Sequence, residues 1–218
     1  MKLNVLAVAL LIGTTMYAKG VDKSELPNVL IIGDSISIGY MKHLKAMLKG
    51  KANVMHNPGN AAHSGTGRAK LESWLGTTKW DVIHFNHGLH DLKYVADKGG
   101  SSKTKKNTHI QVPLDKYREN MEAIVIRLNK TGAKLIFATT TPYPAGVKPL
   151  RIPADVVKYN TVALEVMKEH GVIVNDLCAF VLPQLKKLQR PKNVHFTSAG
   201  SKILAKEVEK YILKALGQ

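Results

Sequence analysis

The chain has 218 residues, of which 44% are apolar and 22% charged, so it can bury a hydrophobic core and is not a disordered tail. It contains 32 Lys and Arg residues against 16 Asp and Glu, and the net charge of +16 favours anionic surroundings. The single cysteine, Cys178, excludes an internal disulfide framework and a multi-cysteine metal site. No apolar run of 18 residues follows the N-terminus, which excludes a polytopic membrane protein.

The first 18 residues have the order of a secretory signal peptide. Lys2 gives a positively charged start, residues 5–16 are mostly apolar, and Ala18 offers a cleavage site, with a second one after residue 20. The alternative is a short uncleaved anchor or a buried strand. We therefore predict a signal peptide over residues 1–18, export to the periplasm or out of the cell, and a single domain over residues 19–218.

Apolar runs and helical patterns alternate along the rest of the chain. Continuous apolar runs predict buried strands, and apolar residues at helical spacing predict amphipathic helices. In chain order we predict strand 28–34, helix 35–49, strand 52–56, helix 68–75, strand 80–86, helix 114–131, strand 133–141, helix 153–170, strand 172–175 and helix 198–216. This alternation implies right-handed crossovers, so the predicted fold class is α/β: a three-layer α/β/α sandwich around a mainly parallel five-stranded sheet.

Two segments need separate predictions. Residues 91–112 combine four lysines with a Gly-Gly-Ser-Ser run, a composition that predicts a flexible basic insertion without structure of its own. These lysines are Lys98, Lys103, Lys105 and Lys106. Cys178 lies in the apolar run 172–180, where we expect a free cysteine to be a small buried hydrophobe.

Residues that could take part in catalysis follow the predicted strands and precede the last helix. In open α/β sheets the site lies at the carboxyl ends of the strands. Ser35 stands where the first strand meets the first helix, so its hydroxyl is either a nucleophile at the positive end of the helix or the helix N-cap. His195, before the last helix, is either a structural histidine or the base that a hydroxyl nucleophile requires. Gly59 follows the second strand and can turn a backbone N–H towards the site.

Four short blocks, in this order, resemble those of the GDSL, or SGNH, hydrolase family. They are Gly33-Asp34-Ser35, Gly59, Gly88-Leu89-His90-Asp91 and Val194-His195-Phe196-Thr197. The resemblance implies a flavodoxin-like sandwich and an esterase or acylhydrolase that needs no cofactor. It also implies that Ser35 is the nucleophile and His195 the general base. By the same resemblance, the oxyanion hole consists of the Ser35 and Gly59 amides with the His90 side chain, and Asp34 and Asp91 support the site.

His90 departs from the family's pattern, which has an asparagine at this position. A neutral imidazole can still donate one hydrogen bond to an oxyanion, and an imidazolium would stabilise it more strongly. Asn60 and Asn86 are alternative donors.

Lys192 is the second departure. The family has an aspartate here, three residues before its histidine, and lysine cannot accept the Nδ1 proton of His195. We expect a backbone carbonyl to orient His195, or a distant carboxylate such as Asp176. If neither does so, the protein is a weak or inactive member of the family that binds anionic glycans.

A metal-dependent hydrolase is a further alternative, because His84, His87 and His90 lie close together in the sequence. For the esterase, export and positive charge favour a small ester or an acetylated glycan, with an O-acetylated anionic polysaccharide as the leading expectation. Electrostatic contact with such a polysaccharide or with a membrane surface is compatible with the charge. Nucleic acid is not an expected partner, because recognition motifs are missing and only 6% of the residues are aromatic.

Overall fold

Five parallel strands form the central sheet in a computed structural model that describes residues 26–218. With two further strands, β4 and β5, that lie outside this sheet, the strands in chain order are β1 Asn28–Ile32, β2 Asn53–His56, β3 Val82–Phe85, β4 Tyr94–Ala96, β5 Thr108–Ile110, β6 Lys134–Ala138 and β7 Ile173–Asn175. The order across the sheet is β2-β1-β3-β6-β7, and every neighbouring pair is parallel. The predicted α/β class with its parallel five-stranded sheet is confirmed. The predicted signal peptide and residues 19–25 lie outside the described residues.

Helices cover both faces of this sheet. They are α1 Ser35–Met47, α2 Ser64–Leu75, α3 Leu114–Asn129, α4 Asp155–Glu169, α5 Leu177–Val181, α6 Leu185–Leu188 and α7 Ser198–Leu216. Successive side chains of a strand point to opposite faces. Accordingly, Val29 and Ile31 pack in one core with α1 and α7, whereas Leu30 and Ile32 pack in the other with α2, α3 and α4. None of the helices described is both long and apolar enough to cross a membrane.

The predicted strands and helices are present, with ends that differ by a few residues. The largest difference is at α2, which begins at Ser64 instead of residue 68. Gly65 and Gly67 in its first turn weaken the helical pattern. The start is fixed instead by a distant residue, because the Ser64 N–H donates to Asp91 Oδ1 at 2.8 Å.

Cys178 is not in a strand. β7 ends at Asn175 because Asp176 caps α5, its Oδ1 accepting the Ala179 N–H at 3.0 Å. Cys178 lies in the first turn of α5, where it packs against the hydrophobic core, but it is half-buried and not the buried residue that the apolar run predicts.

Residues 91–112 have more order than their composition predicts. β4 and β5 form an antiparallel hairpin. The Tyr94 N–H donates to the Leu150 carbonyl at 2.9 Å, and the Leu150 N–H donates to the Ser102 carbonyl at 2.8 Å. The prediction of an insertion without structure is therefore wrong, because backbone hydrogen bonds to a neighbouring segment order the hairpin without a large apolar core.

The loops that carry the sequence blocks meet at the carboxyl ends of β1 and its neighbours. The Gly33 N–H donates to Asn57 Oδ1 at 2.8 Å, and the Ala61 N–H donates to the Gly33 carbonyl at 3.0 Å. On the other side of β1, the Asn86 N–H donates to the Ile32 carbonyl at 3.0 Å. These bonds hold the loops after β2 and β3 against the end of β1.

Candidate active site

Ser35 and His195 are hydrogen-bonded, although 160 positions separate them in the chain. The distance from Ser35 Oγ to His195 Nε2 is 2.8 Å. Ser35 is the first residue of α1, and the N-cap is Asp34, whose Oδ1 accepts the Ile36 N–H at 2.8 Å. The alternative interpretation of Ser35 as the N-cap is therefore wrong. Because Asp34 caps the helix, the Ser35 hydroxyl is free to bond to the imidazole.

The side chain of Asn193 orients His195. Asn193 Oδ1 accepts the backbone N–H of His195 at 2.9 Å and lies 2.7 Å from His195 Nδ1. A backbone N–H can only donate, so the shared Asn193 atom is the oxygen, and an amide oxygen can only accept. Nδ1 must then carry the ring proton, which leaves the Nε2 lone pair facing the Ser35 hydroxyl. This is the tautomer that a general base requires.

The two partners predicted for His195 do not fill this role. A backbone carbonyl is not the acceptor, because Asn193 contributes a side-chain oxygen. Asp176 is engaged elsewhere, accepting the Thr139 hydroxyl at 2.8 Å. Lys192 is exposed and has a left-handed backbone, with φ +49°. The sequence does contain a signal for Asn193, since an asparagine two residues before another residue often accepts that residue's N–H.

Two backbone amides, at the start of α1 and in the loop after β2, have no protein acceptor. Among residues 26–218, neither the Ser35 N–H nor the Gly59 N–H has a hydrogen-bond partner. Gly59 has φ +66°, a conformation that glycine adopts without strain. Asn57 holds this turn, because its Nδ2 donates to the Gly59 carbonyl at 3.1 Å. The two free donors are those that the family resemblance assigns to the oxyanion hole.

His90 lies beside Asp34, with 3.8 Å between its Nε2 and Asp34 Oδ2, and its side chain is 21% exposed. Burial lowers the pKa of His90 to about 3, and the positive charges of Lys93 and Arg151 contribute to this shift. The ring is therefore neutral at ordinary pH, and the option of a cationic donor is not supported. A neutral ring retains one N–H for a ligand.

Of the two alternative amide donors, one is already bonded within the protein. Asn86 Nδ2 donates to the Ala138 carbonyl at 2.7 Å. Asn60 is exposed, and its bond to the Ala62 N–H uses Oδ1, so among residues 26–218 its Nδ2 has no acceptor. His90 lies next to the Ser35 turn through Asp34.

Asp91 links the third strand's loop to α2. Its Oδ1 accepts the Ser64 N–H at 2.8 Å and the Ser64 hydroxyl at 2.5 Å. Asp91 is fully buried, and burial raises its pKa to about 6. The contacts are those of a residue that shapes the loop between β2 and α2, which carries Gly59.

The three histidines of the metal alternative point to different places. The ring of His84 is buried beside Asn175, with 3.4 Å between His84 Nε2 and Asn175 Nδ2. The ring of His87 packs against Gly67, where an added Cβ would be 2.4 Å from its Nε2. His90 lies beside Asp34. Within residues 26–218, no group of three or more His, Cys, Asp or Glu side chains is arranged to hold a metal ion.

A second serine–histidine contact lies two residues further along α1. Ser37 Oγ is 2.7 Å from His56 Nε2 and also donates to the Asp34 carbonyl at 2.7 Å. Ser37 is 5% exposed, so its hydroxyl is inside the protein and already has two partners. Ser35 and His195, in contrast, both line an open cleft.

The charges around His195 lead to a prediction about pH. Burial lowers the pKa of His195 below its ordinary 6.5, and the positive charges of Arg190 and Arg151 lower it further because they disfavour another cation. Only the neutral imidazole accepts a proton from Ser35, so kcat/KM should rise with pH through a midpoint below 6.5. Arg190→Gln removes one charge and should raise this midpoint by about 0.3–0.5 of a pH unit.

The measurement is the pH profile of kcat/KM for a neutral ester. Arg68→Gln is the matched control, since it removes the same charge from an exposed position on α2 and should leave the midpoint in place. A midpoint that stays constant or falls in Arg190→Gln would show that Arg190 does not act on His195.

A parallel sheet with a serine–histidine pair at its carboxyl edge occurs in several classes of serine hydrolase. The four sequence blocks around this pair indicate the class of SGNH-fold hydrolases. The sequence profile of the GDSL-like Lipase/Acylhydrolase family matches residues 31–203. The chain therefore belongs to this family and is a carboxylic ester hydrolase. A search of curated protein sequences gave no significant match.

Solved structures with the same fold support this assignment. An acetyl xylan esterase, AlAXEase, has a TM-score of 0.68 at 17% identity, over 85% of this chain and 99% of that one. A lipase/acylhydrolase from Enterococcus faecalis has a TM-score of 0.67 at 22% identity, over 86% and 95%. Axe2, an acetylxylan esterase from Geobacillus stearothermophilus, has a TM-score of 0.66 at 18% identity, over 88% and 94%. At these identities the likeness shows the shared fold.

Proposed function

We propose that the protein is a serine hydrolase that cleaves carboxylic esters through an acyl-enzyme formed on Ser35. The observation that carries this proposal is the 2.8 Å hydrogen bond between Ser35 Oγ and His195 Nε2 at an open cleft. Ser35 Oγ attacks the ester carbonyl carbon while its proton passes to His195 Nε2. The carbonyl oxygen becomes an oxyanion, which the amides of Ser35 and Gly59 and the ring N–H of His90 stabilise.

The second half of the reaction uses the same imidazole. The tetrahedral intermediate collapses, the C–O bond to the alcohol breaks, and His195 Nε2 returns its proton to the departing oxygen. His195 then takes a proton from a water molecule, which attacks the acyl carbon of the ester on Ser35. The bond between the acyl carbon and Ser35 Oγ breaks, His195 Nε2 returns its proton to Ser35 Oγ, and the acid leaves.

For the substrate we propose a carbohydrate O-acetylester. The cleft at Ser35 is lined mostly by polar or cationic side chains, with Ile36 and Phe196 as its large apolar residues. Sugar hydroxyls would find hydrogen-bond partners in such a lining, which supports a carbohydrate as the alcohol part of the ester. The acetyl xylan esterases among the structural neighbours support acetyl as the acyl part.

Export to the periplasm or out of the cell is part of the proposal and rests on the sequence of residues 1–18 alone. An exported acetylesterase would meet polysaccharides outside the cytoplasm. The net charge of +16 supports contact with anionic ones.

The experiment compares p-nitrophenyl esters of increasing acyl length and measures acetate release from acetylated glycans. We expect the acetate ester to have the highest kcat/KM, and acetate to be released from at least one glycan. Preference for long acyl chains would contradict the acetylesterase and keep the serine hydrolase. No hydrolysis of any ester, together with binding to anionic glycans, would favour the inactive glycan-binding alternative.

A further inference from the structure

A buried arginine lies beside the candidate active site. Arg151, between β6 and α4, is 5% exposed. Its Nε donates to the Leu89 carbonyl at 2.8 Å, and its Nη1 donates to the Pro149 carbonyl at 3.3 Å. Leu89 directly precedes His90, so Arg151 is fixed to the segment that faces the Ser35 turn. Burial lowers the pKa of His90 and His195, and the positive charge of Arg151 lowers both further. Burial raises the pKa of Asp34, and the same charge opposes this rise.

Arg151 forms no ion pair, although the buried Asp34 carboxylate is near enough to interact with its charge. Within the described residues, no carboxylate oxygen lies within 4 Å of its guanidinium nitrogens, and Nη2 has no hydrogen-bond acceptor. Nη2 is also not among the polar atoms that are enclosed without a partner, so it retains contact with solvent. Burying a charge costs free energy unless an opposite charge or hydrogen bonds compensate for it. The guanidinium is therefore held in place with one side open to an anion.

Other cations around the site are also without acidic partners. Lys93 is half-buried, and the backbone brings it near Arg151, because the N–H of the next residue, Tyr94, donates to the Leu150 carbonyl at 2.9 Å. Burial and the charge of Arg151 lower the pKa of Lys93. Arg190 and Lys42 line the cleft that contains Ser35. In the part of the chain that the structure describes, none of these four cations forms an ion pair with a carboxylate.

Burial distinguishes Arg151 from the other arginines of residues 26–218. Arg118 pairs with Glu165 and Glu169, and Arg127 pairs with Glu72. Arg68 and Arg190 form no ion pair either, but both are exposed to water, whereas Arg151 is buried.

We propose that Arg151, assisted by Lys93, binds a carboxylate that the substrate carries near the ester attacked by Ser35. This inference rests on the proposed function, and it narrows the substrate class to acidic esters, such as an O-acetylated uronic acid. A guanidinium presents parallel N–H donors that match a carboxylate. Because Arg151 is buried and held by two carbonyls, the anion would meet a donor that is already oriented.

The test compares two acetate esters that differ in one carboxylate, phenyl acetate and 4-acetoxybenzoate. In the wild type, kcat/KM should be higher for 4-acetoxybenzoate. Arg151→Gln should lower the ratio of the two kcat/KM values by about tenfold or more, and Arg151→Lys should retain part of it. Lys130→Gln removes a charge from an exposed position at the end of α3 and should leave the ratio unchanged. Acetylated polygalacturonate and acetylated xylan form the corresponding glycan pair.

A ratio that is the same in wild type and Arg151→Gln would overturn the carboxylate site while leaving the serine hydrolase intact. Inhibition of the wild type by galacturonate, compared with galactose, tests the site without any substitution. Inhibition by galacturonate alone supports it, and equal effects of the two sugars contradict it. A wild type that binds galacturonate but hydrolyses no ester would instead contradict the proposed function and support the carboxylate site.

Discussion

Ser35→Ala should lower kcat/KM for p-nitrophenyl acetate by about 10⁴-fold or more, because the variant has no oxygen to form the acyl-enzyme. The fold should survive, since Asp34 and not Ser35 caps α1. The residual rate would come from the amides and His90, which still polarise a bound carbonyl. A fluorophosphonate should label the wild type at Ser35 and leave the variant unlabelled.

Ser37→Ala is the matched control, because Ser37 is on the same helix and also contacts a histidine. Its hydroxyl is buried and bonded to the Asp34 carbonyl, so its loss should reduce stability more than activity. We expect kcat/KM to stay within about tenfold of the wild type. If Ser37→Ala lost activity and Ser35→Ala kept it, the nucleophile would be Ser37 and the proposed mechanism would be wrong.

Substitutions of Asn193 should change the rate in opposite directions. Asn193→Ala removes the acceptor for His195 Nδ1, and we expect kcat to fall by about 10²- to 10⁴-fold because the tautomer is no longer fixed. Asn193→Asp replaces a neutral acceptor by a carboxylate that stabilises the imidazolium formed in the transition state. We expect kcat to rise by about tenfold, since a hydrogen bond to a charged group is the stronger one.

The pH profile separates these effects from a general loss of structure. A carboxylate beside Nδ1 favours the protonated imidazole, so the pKa of His195 should rise in Asn193→Asp and the acid limb of kcat/KM should move to higher pH. Asn193→Leu, an apolar side chain of similar size, should behave like Asn193→Ala. Unchanged kcat in both Asn193→Ala and Asn193→Leu would show that another group orients His195.

The neutral side-chain oxygen of Asn193 also explains how His195 is oriented although Lys192 replaces the family's aspartate. An aspartate at that position would supply both orientation and negative charge, whereas Asn193 supplies orientation only. The positive charges near His195 act in the opposite sense to an aspartate, since they lower its pKa. The site is therefore built to keep the imidazole neutral, at some cost to the stability of the imidazolium.

The local hydrophobic pattern was sufficient to predict the sheet and its helices. It was also sufficient to predict where Ser35 and His195 lie relative to them. Strands buried on both faces must be continuously apolar, and the helices between them need one apolar side, so both leave a periodic signal. The hairpin β4–β5 left no such signal, because partners such as Leu150 lie outside the segment and bond through the backbone. The predicted start of α2 was wrong for the same reason, because the side chain of Asp91, 27 positions away, fixes the first residue of this helix.

Alternating apolar segments were enough to specify the class of fold, and the order of four blocks was enough to indicate an ester hydrolase. Contacts between distant parts of the chain decided three features that the sequence could not predict. They are the atom that orients His195, the residue that caps α1 and the position of Arg151. The partner of a charged or polar side chain cannot be predicted from a periodic pattern in the sequence. Its role is defined only when folding brings donors and acceptors within about 3 Å of one another.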